Sequence, residues 1–218
     1  MDPECSEFDW TFSRKEKNLV SQLHATQTKL YKQIKACQQC DLAKTRQNVV
    51  YGRGDPRAPL WLVGEAPGRD EDLQGLAFVG RFGRMLDLCL NKQHISNFFI
   101  THAVKCRPPE NRNPAEVEFD TCTLWLRDQI KKYKPRLIVA MGRYSVGYFL
   151  GLSYVDTRKM RIRQHVGHVR PCTWDSSLAI MPTYRPVYLL HNALEAKSFM
   201  LQLARANTLC QKLLNTSR

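Results

Sequence analysis

The sequence predicts an α/β domain, a three-layer α/β/α sandwich around a central, mainly parallel four-stranded sheet. Short, largely apolar runs recur along the chain: Leu60-Trp61-Leu62-Val63, Phe98 to Val104, Leu137-Ile138-Val139-Ala140-Met141 and Leu178-Ala179-Ile180-Met181. Such runs suit strands buried on both faces. Segments with helical spacing of apolar residues lie between them, and alternating strands and helices imply right-handed crossovers and a parallel sheet covered on both sides. A chain of 218 residues with 43% hydrophobic content is long enough for one substantial core and short for two complete domains.

Residues 1–14 mix charge, Pro3 and two aromatics without periodicity, and read as a flexible leader to a single domain over residues 15–218. From Lys15 to Ala36, the spacing of Leu19, Val20, Leu23, Leu30 and Ile34 predicts a helix that delivers Cys37 and Cys40. A connecting segment with the short apolar piece Val49-Val50-Tyr51 leads to the first central strand, Leu60 to Val63. That strand stops in Gly64-Glu65-Ala66-Pro67-Gly68, a tight turn whose backbone can approach a ligand, followed by an acidic loop. Helices are expected over Gly83 to Asn91, Ala115 to Tyr133, the short stretch opened by Gly142, and Asn192 to about Leu214. Met160 to Val169 reads as a hairpin through Gly167.

The formal charge is +13, from 33 basic and 20 acidic residues, which points to a polyanionic partner such as nucleic acid. Arg158-Lys159-Met160-Arg161-Ile162-Arg163 alternates basic with apolar residues, as would a strand with one face on phosphates or a solvated edge strand. No apolar run approaches the roughly 20 residues that cross a bilayer, and the first residues lack the basic and apolar regions of a signal peptide, so a cytoplasmic protein without a membrane partner is expected. In that compartment eight cysteines read as metal ligands plus buried thiols rather than disulfides. Cys37, Cys40, Cys106 and Cys122 form the candidate ligand set, and their spacing alone leaves Zn and an iron–sulfur cluster equally open. Cys89, Cys172 and Cys210 suit buried thiols.

Taken in order, these pieces resemble the iron–sulfur branch, family 4, of the uracil-DNA glycosylase superfamily. The resemblance runs from about Ala36 to Asn192: Cys37 and Cys40, Gly64 to Gly68 with Glu71 and Asp72, Phe78-Val79-Gly80-Arg81, Val104-Lys105-Cys106-Arg107-Pro108-Pro109, Cys122, and Pro182-Thr183-Tyr184 before Pro186 and Tyr188-Leu189-Leu190. It implies a 4Fe–4S cluster on the four cysteines and an enzyme acting on DNA, and a monomer is expected. A target base is flipped into a pocket, stacked on Phe78, and its N-glycosidic bond is hydrolysed with the help of Glu65. It further places Ala66, Gly68 and Glu71 at the base, and Arg161, Arg163 and Tyr188 are expected on the DNA.

Two positions depart from the family pattern. His102 stands where the family has asparagine, and Arg185 stands in Thr183-Tyr184-Arg185-Pro186 where the family has histidine. An amide sets a donor and an acceptor side by side, whereas neutral imidazole carries them on separated nitrogens, so the uracil-reading bond pair is not reproduced unchanged. Arg185 remains cationic and can stabilise the departing base. The expectation is a glycosylase for a non-standard base, a modified pyrimidine such as a phage hypermodified cytosine removed in antiviral defence. The alternatives are an ordinary uracil-DNA glycosylase of base-excision repair and a non-catalytic iron–sulfur DNA-binding module.

Overall fold

The structure, a computed structural model, describes residues 28–185, 188 and 192–215. The expected leader and the first half of the helix expected over Lys15 to Ala36 lie outside the described residues. The chain runs through α1 (Lys29–Lys35), α2 (Leu42–Thr45), β1 (Arg53–Gly54), β2 (Leu60–Gly64), α3 (Arg69–Gln74), α4 (Arg81–Lys92) and β3 (Phe99–His102). It continues through α5 (Glu116–Tyr133), β4 (Leu137–Met141), α6 (Arg143–Phe149), α7 (Tyr154–Lys159), β5 (Arg170–Cys172), β6 (Asp175–Thr183) and α8 (Ala193–Asn215).

The strands form one sheet in the order β1-β3-β2-β4-β6-β5. Its four inner strands, β3, β2, β4 and β6, are mutually parallel, as the sequence predicts. Two short antiparallel edge strands, β1 and β5, extend the expected four-stranded sheet to six. Every residue of β2 and β4 is buried. Trp61, Val63, Ile138 and Ala140 point into one core layer, with Phe119, Leu126 and Ile130 of α5 and Val146 and Phe149 of α6. Leu60, Leu62, Leu137 and Val139 point into the other, with Leu86 and Leu90 of α4 and Phe199 and Leu203 of α8. Side chains alternate across a strand, so a continuous apolar run is what a sheet between two helical layers requires. Cys89, Cys172 and Cys210 are buried in these layers, as expected of structural thiols. No helix among the described residues is long and apolar enough to cross a membrane.

Two local expectations need correction. The acidic stretch after Gly68 is the helix α3 rather than a loop: Asp70, Glu71 and Asp72 sit in its first turn, where the helix dipole favours carboxylates, and Gly75 ends it at φ 69°. The basic segment is not a strand of a hairpin through Gly167. The Ser153 hydroxyl accepts the Asp156 N–H and starts α7, which takes Arg158 and Lys159, and a single 3₁₀ turn over Ile162–Gln164 follows. The observed hairpin comes later, between β5 and β6.

Candidate active site

All four inner strands end on the same side of the sheet, and their ends build the site. In register, Gly64 of β2 lies beside His102 of β3, and Met141 of β4 lies beside Thr183 of β6. The residues at or just beyond those ends are Glu65, His102, Gly142 and Arg185. A parallel sheet presents ligand sites at this edge. A cavity of about 470 Å³ opens there, lined among others by Glu65, Ala66, Gly68, Phe78, His102 and Arg185.

Glu65 is 6% exposed and faces Arg185, whose guanidinium is half exposed, with Nε 2.8 Å from Oε2. Oε1 accepts the Tyr144 N–H at 3.0 Å. No donor hydrogen points at Oε2, which is buried without a hydrogen bond among the described residues, so the Arg185 contact is a charge pairing rather than a directed bond. Burial pushes the Glu65 carboxyl above the usual range, against the opposing pull of Arg185 and the Tyr144 N–H. Gly142, at φ 96°, makes the approach possible: a Cβ there would lie 2.6 Å from both Glu65 Oε1 and Arg185 Cγ.

The opposite wall is an aromatic pair. Phe78 and His102 stack with ring centroids 4.6 Å apart and planes within 7°. They are 7% and 3% exposed, so neither ring offers an open face to the cavity. Gly64 lies under the Phe78 ring tip, and a Cβ on it would meet Phe78 Cζ at 2.5 Å. Burial, with Lys105 and Arg53 nearby, pulls the His102 imidazole down to about 3, so it is neutral at working pH. Its Nδ1 is buried with no hydrogen-bond partner among the described residues. Behind it the Lys105 ammonium is buried and donates to Thr101 Oγ1 and the His102 carbonyl, at 2.7 Å each.

Phe78 is held in the left-handed region, φ 52°, which a bulky residue adopts only when its surroundings impose it. Glu71 and Arg53 impose it. Glu71 Oε1 accepts the N–H groups of Val79 and Gly80, and Oε2 accepts that of Gly68. Arg53 donates to the carbonyls of Ala77 and Phe78 and pairs with Asp87. Glu71, expected at the base, lines the cavity, but its carboxylate is committed to clamping the Gly68 and Phe78 loops together. Arg53, Gly142 and Lys105 are not among the expected site residues. Gly142 carries a signal in the sequence, a glycine at the junction of an apolar strand and a helix, and Lys105 stands in the run Val104 to Pro109 that bears the resemblance, whereas Arg53 carries none.

Beyond the Glu65–Arg185 pair lies a second cavity of about 590 Å³, sharing those two residues as a wall and lined by Arg143, Arg161, Arg163, Tyr184 and Tyr188. Arg161, Arg163 and Tyr188, expected on the DNA, all line this second cavity, Arg161 and Arg163 from a 3₁₀ turn rather than a strand.

The four candidate ligand cysteines gather where α1, the loop after β3 and α5 meet. Arg46 donates to Cys106 Sγ at 3.4 Å and to the Cys37 carbonyl, Trp125 Nε1 to Cys37 Sγ at 3.2 Å, and the Lys105 N–H to Cys122 Sγ at 3.1 Å. Cys106 feels Cys40 and Cys37, and Cys122 feels Cys106 and Cys40. Burial pushes the Cys122 thiol up to about 12. Among the described residues no three His, Cys, Asp or Glu side chains converge tightly enough for a single ion. A group larger than one metal ion, drawing on several thiolates that already receive N–H donors, fits this arrangement.

Sequence comparison with known proteins shows the family. The model of the family described as "Uracil DNA glycosylase superfamily" matches residues 51–207. The type-4 uracil-DNA glycosylase of Saccharolobus solfataricus is 37% identical over 169 residues, 73% of this chain and 75% of the relative. That of Archaeoglobus fulgidus is 33% identical over 186 residues, 84% and 92% of the two chains, and that of Thermotoga maritima 38% over 161, 73% and 80%. With a parallel sheet whose strand ends carry a buried carboxylate opposite an aromatic wall, the chain belongs to the type-4 branch of the uracil-DNA glycosylase superfamily and is a DNA glycosylase.

Proposed function

We propose that this enzyme hydrolyses the N-glycosidic bond of a flipped, non-standard pyrimidine in DNA other than plain uracil, leaving an abasic site. The observation that carries the reading is His102, a neutral imidazole packed flat on Phe78 at the base wall of the cavity. It supplies one donor and one acceptor on separated nitrogens, and a base edge must match that pattern or leave buried groups unpaired at about 1–3 kcal/mol each. A cavity of about 470 Å³ also leaves room beyond an unsubstituted six-membered ring. A hypermodified cytosine of a phage genome is the member of this class that would use the spare volume, and its removal would make the enzyme an antiviral factor.

In this reading the sugar of the flipped nucleotide lies at Glu65. The Glu65 carboxylate stabilises the positive charge that develops on the sugar and orients the attacking water. The C1′–N bond breaks with its electron pair going to the base, and water supplies a hydroxyl to C1′ and a proton to the departing base. Arg185, cationic throughout, stabilises the base while it carries negative charge. We assign Cys37, Cys40, Cys106 and Cys122 to a 4Fe–4S cluster, whose contribution is to tie the segment after α1 to the loop after β3 and to α5.

A second reading, removal of uracil itself, is favoured by the activity in the names of the three relatives above. Single-turnover release from matched oligonucleotides carrying uracil, hypoxanthine, 5-hydroxymethylcytosine or its glucosylated form separates the two. The proposal expects slow uracil release and faster release of a modified pyrimidine. Efficient release of uracil alone promotes the second reading.

A further inference from the structure

With the excised base assigned to the first cavity, the second is left with a chemistry of its own. Arg143, Arg161 and Arg163 are exposed around it, and among the described residues none of the three has a carboxylate partner. The carboxylate on its wall, Glu65, faces Arg185. At its edge Tyr184 and Tyr188 pair with ring centroids 4.9 Å apart, and Tyr188 is 47% exposed. Arg143 donates to the Arg158 carbonyl at 2.7 Å and keeps its other N–H groups, which with the guanidinium groups of Arg161 and Arg163 suit an anion, and the aromatic pair beside them, partly exposed, suits a flat ring; together they describe a nucleotide. Basic grooves with aromatic platforms are how single strands are bound, because every base has a face to stack.

Position then says which nucleotide. Glu65 walls both cavities, so a sugar reacting there places its base on one side and the next phosphate and nucleoside of the strand on the other. We propose that the second cavity holds the nucleotide adjoining the excised one, its phosphate among Arg143, Arg161 and Arg163 and its base on the Tyr184–Tyr188 pair. Two consecutive nucleotides then leave the stack, and the substrate is DNA that is single-stranded or unpaired at that point. This rests on the glycosylase reading of the first cavity but not on which base that cavity takes.

The test uses oligonucleotides with a tetrahydrofuran abasic analogue at the excision position, so no base choice enters. One set keeps a thymidine beside the analogue on either side in turn; the other replaces that neighbour by a second tetrahydrofuran. The wild-type protein should bind the single strand more tightly than the matched duplex. It should lose roughly 5- to 100-fold in affinity when the neighbour's base is removed on one side. Tyr188→Ala should bind the intact oligonucleotide about as weakly as the wild type binds the stripped one, with little further loss, and Tyr188→Phe should restore the difference. Arg161→Gln with Arg163→Gln should weaken both oligonucleotides alike. An unchanged wild-type affinity on stripping, an equal loss in Tyr188→Ala, or duplex binding as tight as single-strand binding overturns the proposal. Base release with no neighbour dependence sinks this inference alone, whereas neighbour dependence without release of any base sinks the glycosylase reading alone.

Discussion

Two buried side chains with displaced titrations, Glu65 and His102, decide how the site behaves. Glu65 is raised by burial, so the folded state holds its proton more tightly than the unfolded chain does. Its ionisation therefore costs stability as pH rises from the ordinary carboxylate value through the raised one. Glu65→Gln should bind abasic-analogue DNA normally, lose roughly 100-fold or more in single-turnover release, and melt at or above the wild-type temperature at pH 7. A lower melting temperature would mean that the Arg185 pairing outweighs the burial. In the wild type the acid limb of the release rate should lie above the usual carboxylate range. His102 has the opposite consequence: the unfolded imidazole takes up a proton near 6.5, the folded one only near 3. The stability tied to its neutral form is intact above pH 6.5 and is lost as pH falls towards 3, on the order of a few kcal/mol in all. Denaturant unfolding between pH 7 and 4 should show that loss reduced in His102→Asn.

The turn after β2 and the loop between α3 and α4 work because clamps hold them. Glu71→Ala would leave the N–H groups of Gly68, Val79 and Gly80 without their acceptor, and should cost about 1–3 kcal/mol in denaturant unfolding together with at least a tenfold slower release. Unchanged release would remove the clamp from the catalytic account. Much of this level is legible beforehand. The apolar runs Leu60 to Val63 and Leu137 to Met141 mark β2 and β4 because burial on both faces leaves a continuous signature. Arg158 to Arg163 misleads because alternation of charge and apolar residues serves a helix end and a turn as well as a strand, and Ser153, which settles it, acts from outside the segment. The His102–Phe78 stack is not legible at all: it depends on the register of β2 with β3 and on the positive φ of Phe78, neither of which a local pattern records.

At the level of the whole molecule, a basic chain gathers four cysteines near the strand ends that build the site, Cys106 following β3 just past His102. Anaerobically prepared protein should be brown with about four irons per chain, and Cys106→Ser should lose colour and thermal stability together; stoichiometric Zn would contradict the cluster. DNA affinity should fall steeply with salt, and neutralising Arg161 and Arg163 should flatten the slope by about one unit per lost phosphate contact, whereas an unchanged slope would place the phosphates elsewhere. The central claim is that His102 sets the choice of base. It is tested by the ratio of single-turnover release rates for uracil and for the best modified pyrimidine, measured in the wild type and in His102→Asn. Two mismatched buried bonds separate substrates by roughly 30-fold to several thousandfold, so the wild type should favour the modified base by that order and His102→Asn should shift the ratio towards uracil. A wild type that releases uracil efficiently and leaves the modified bases untouched, with a ratio that His102→Asn does not change, would contradict it.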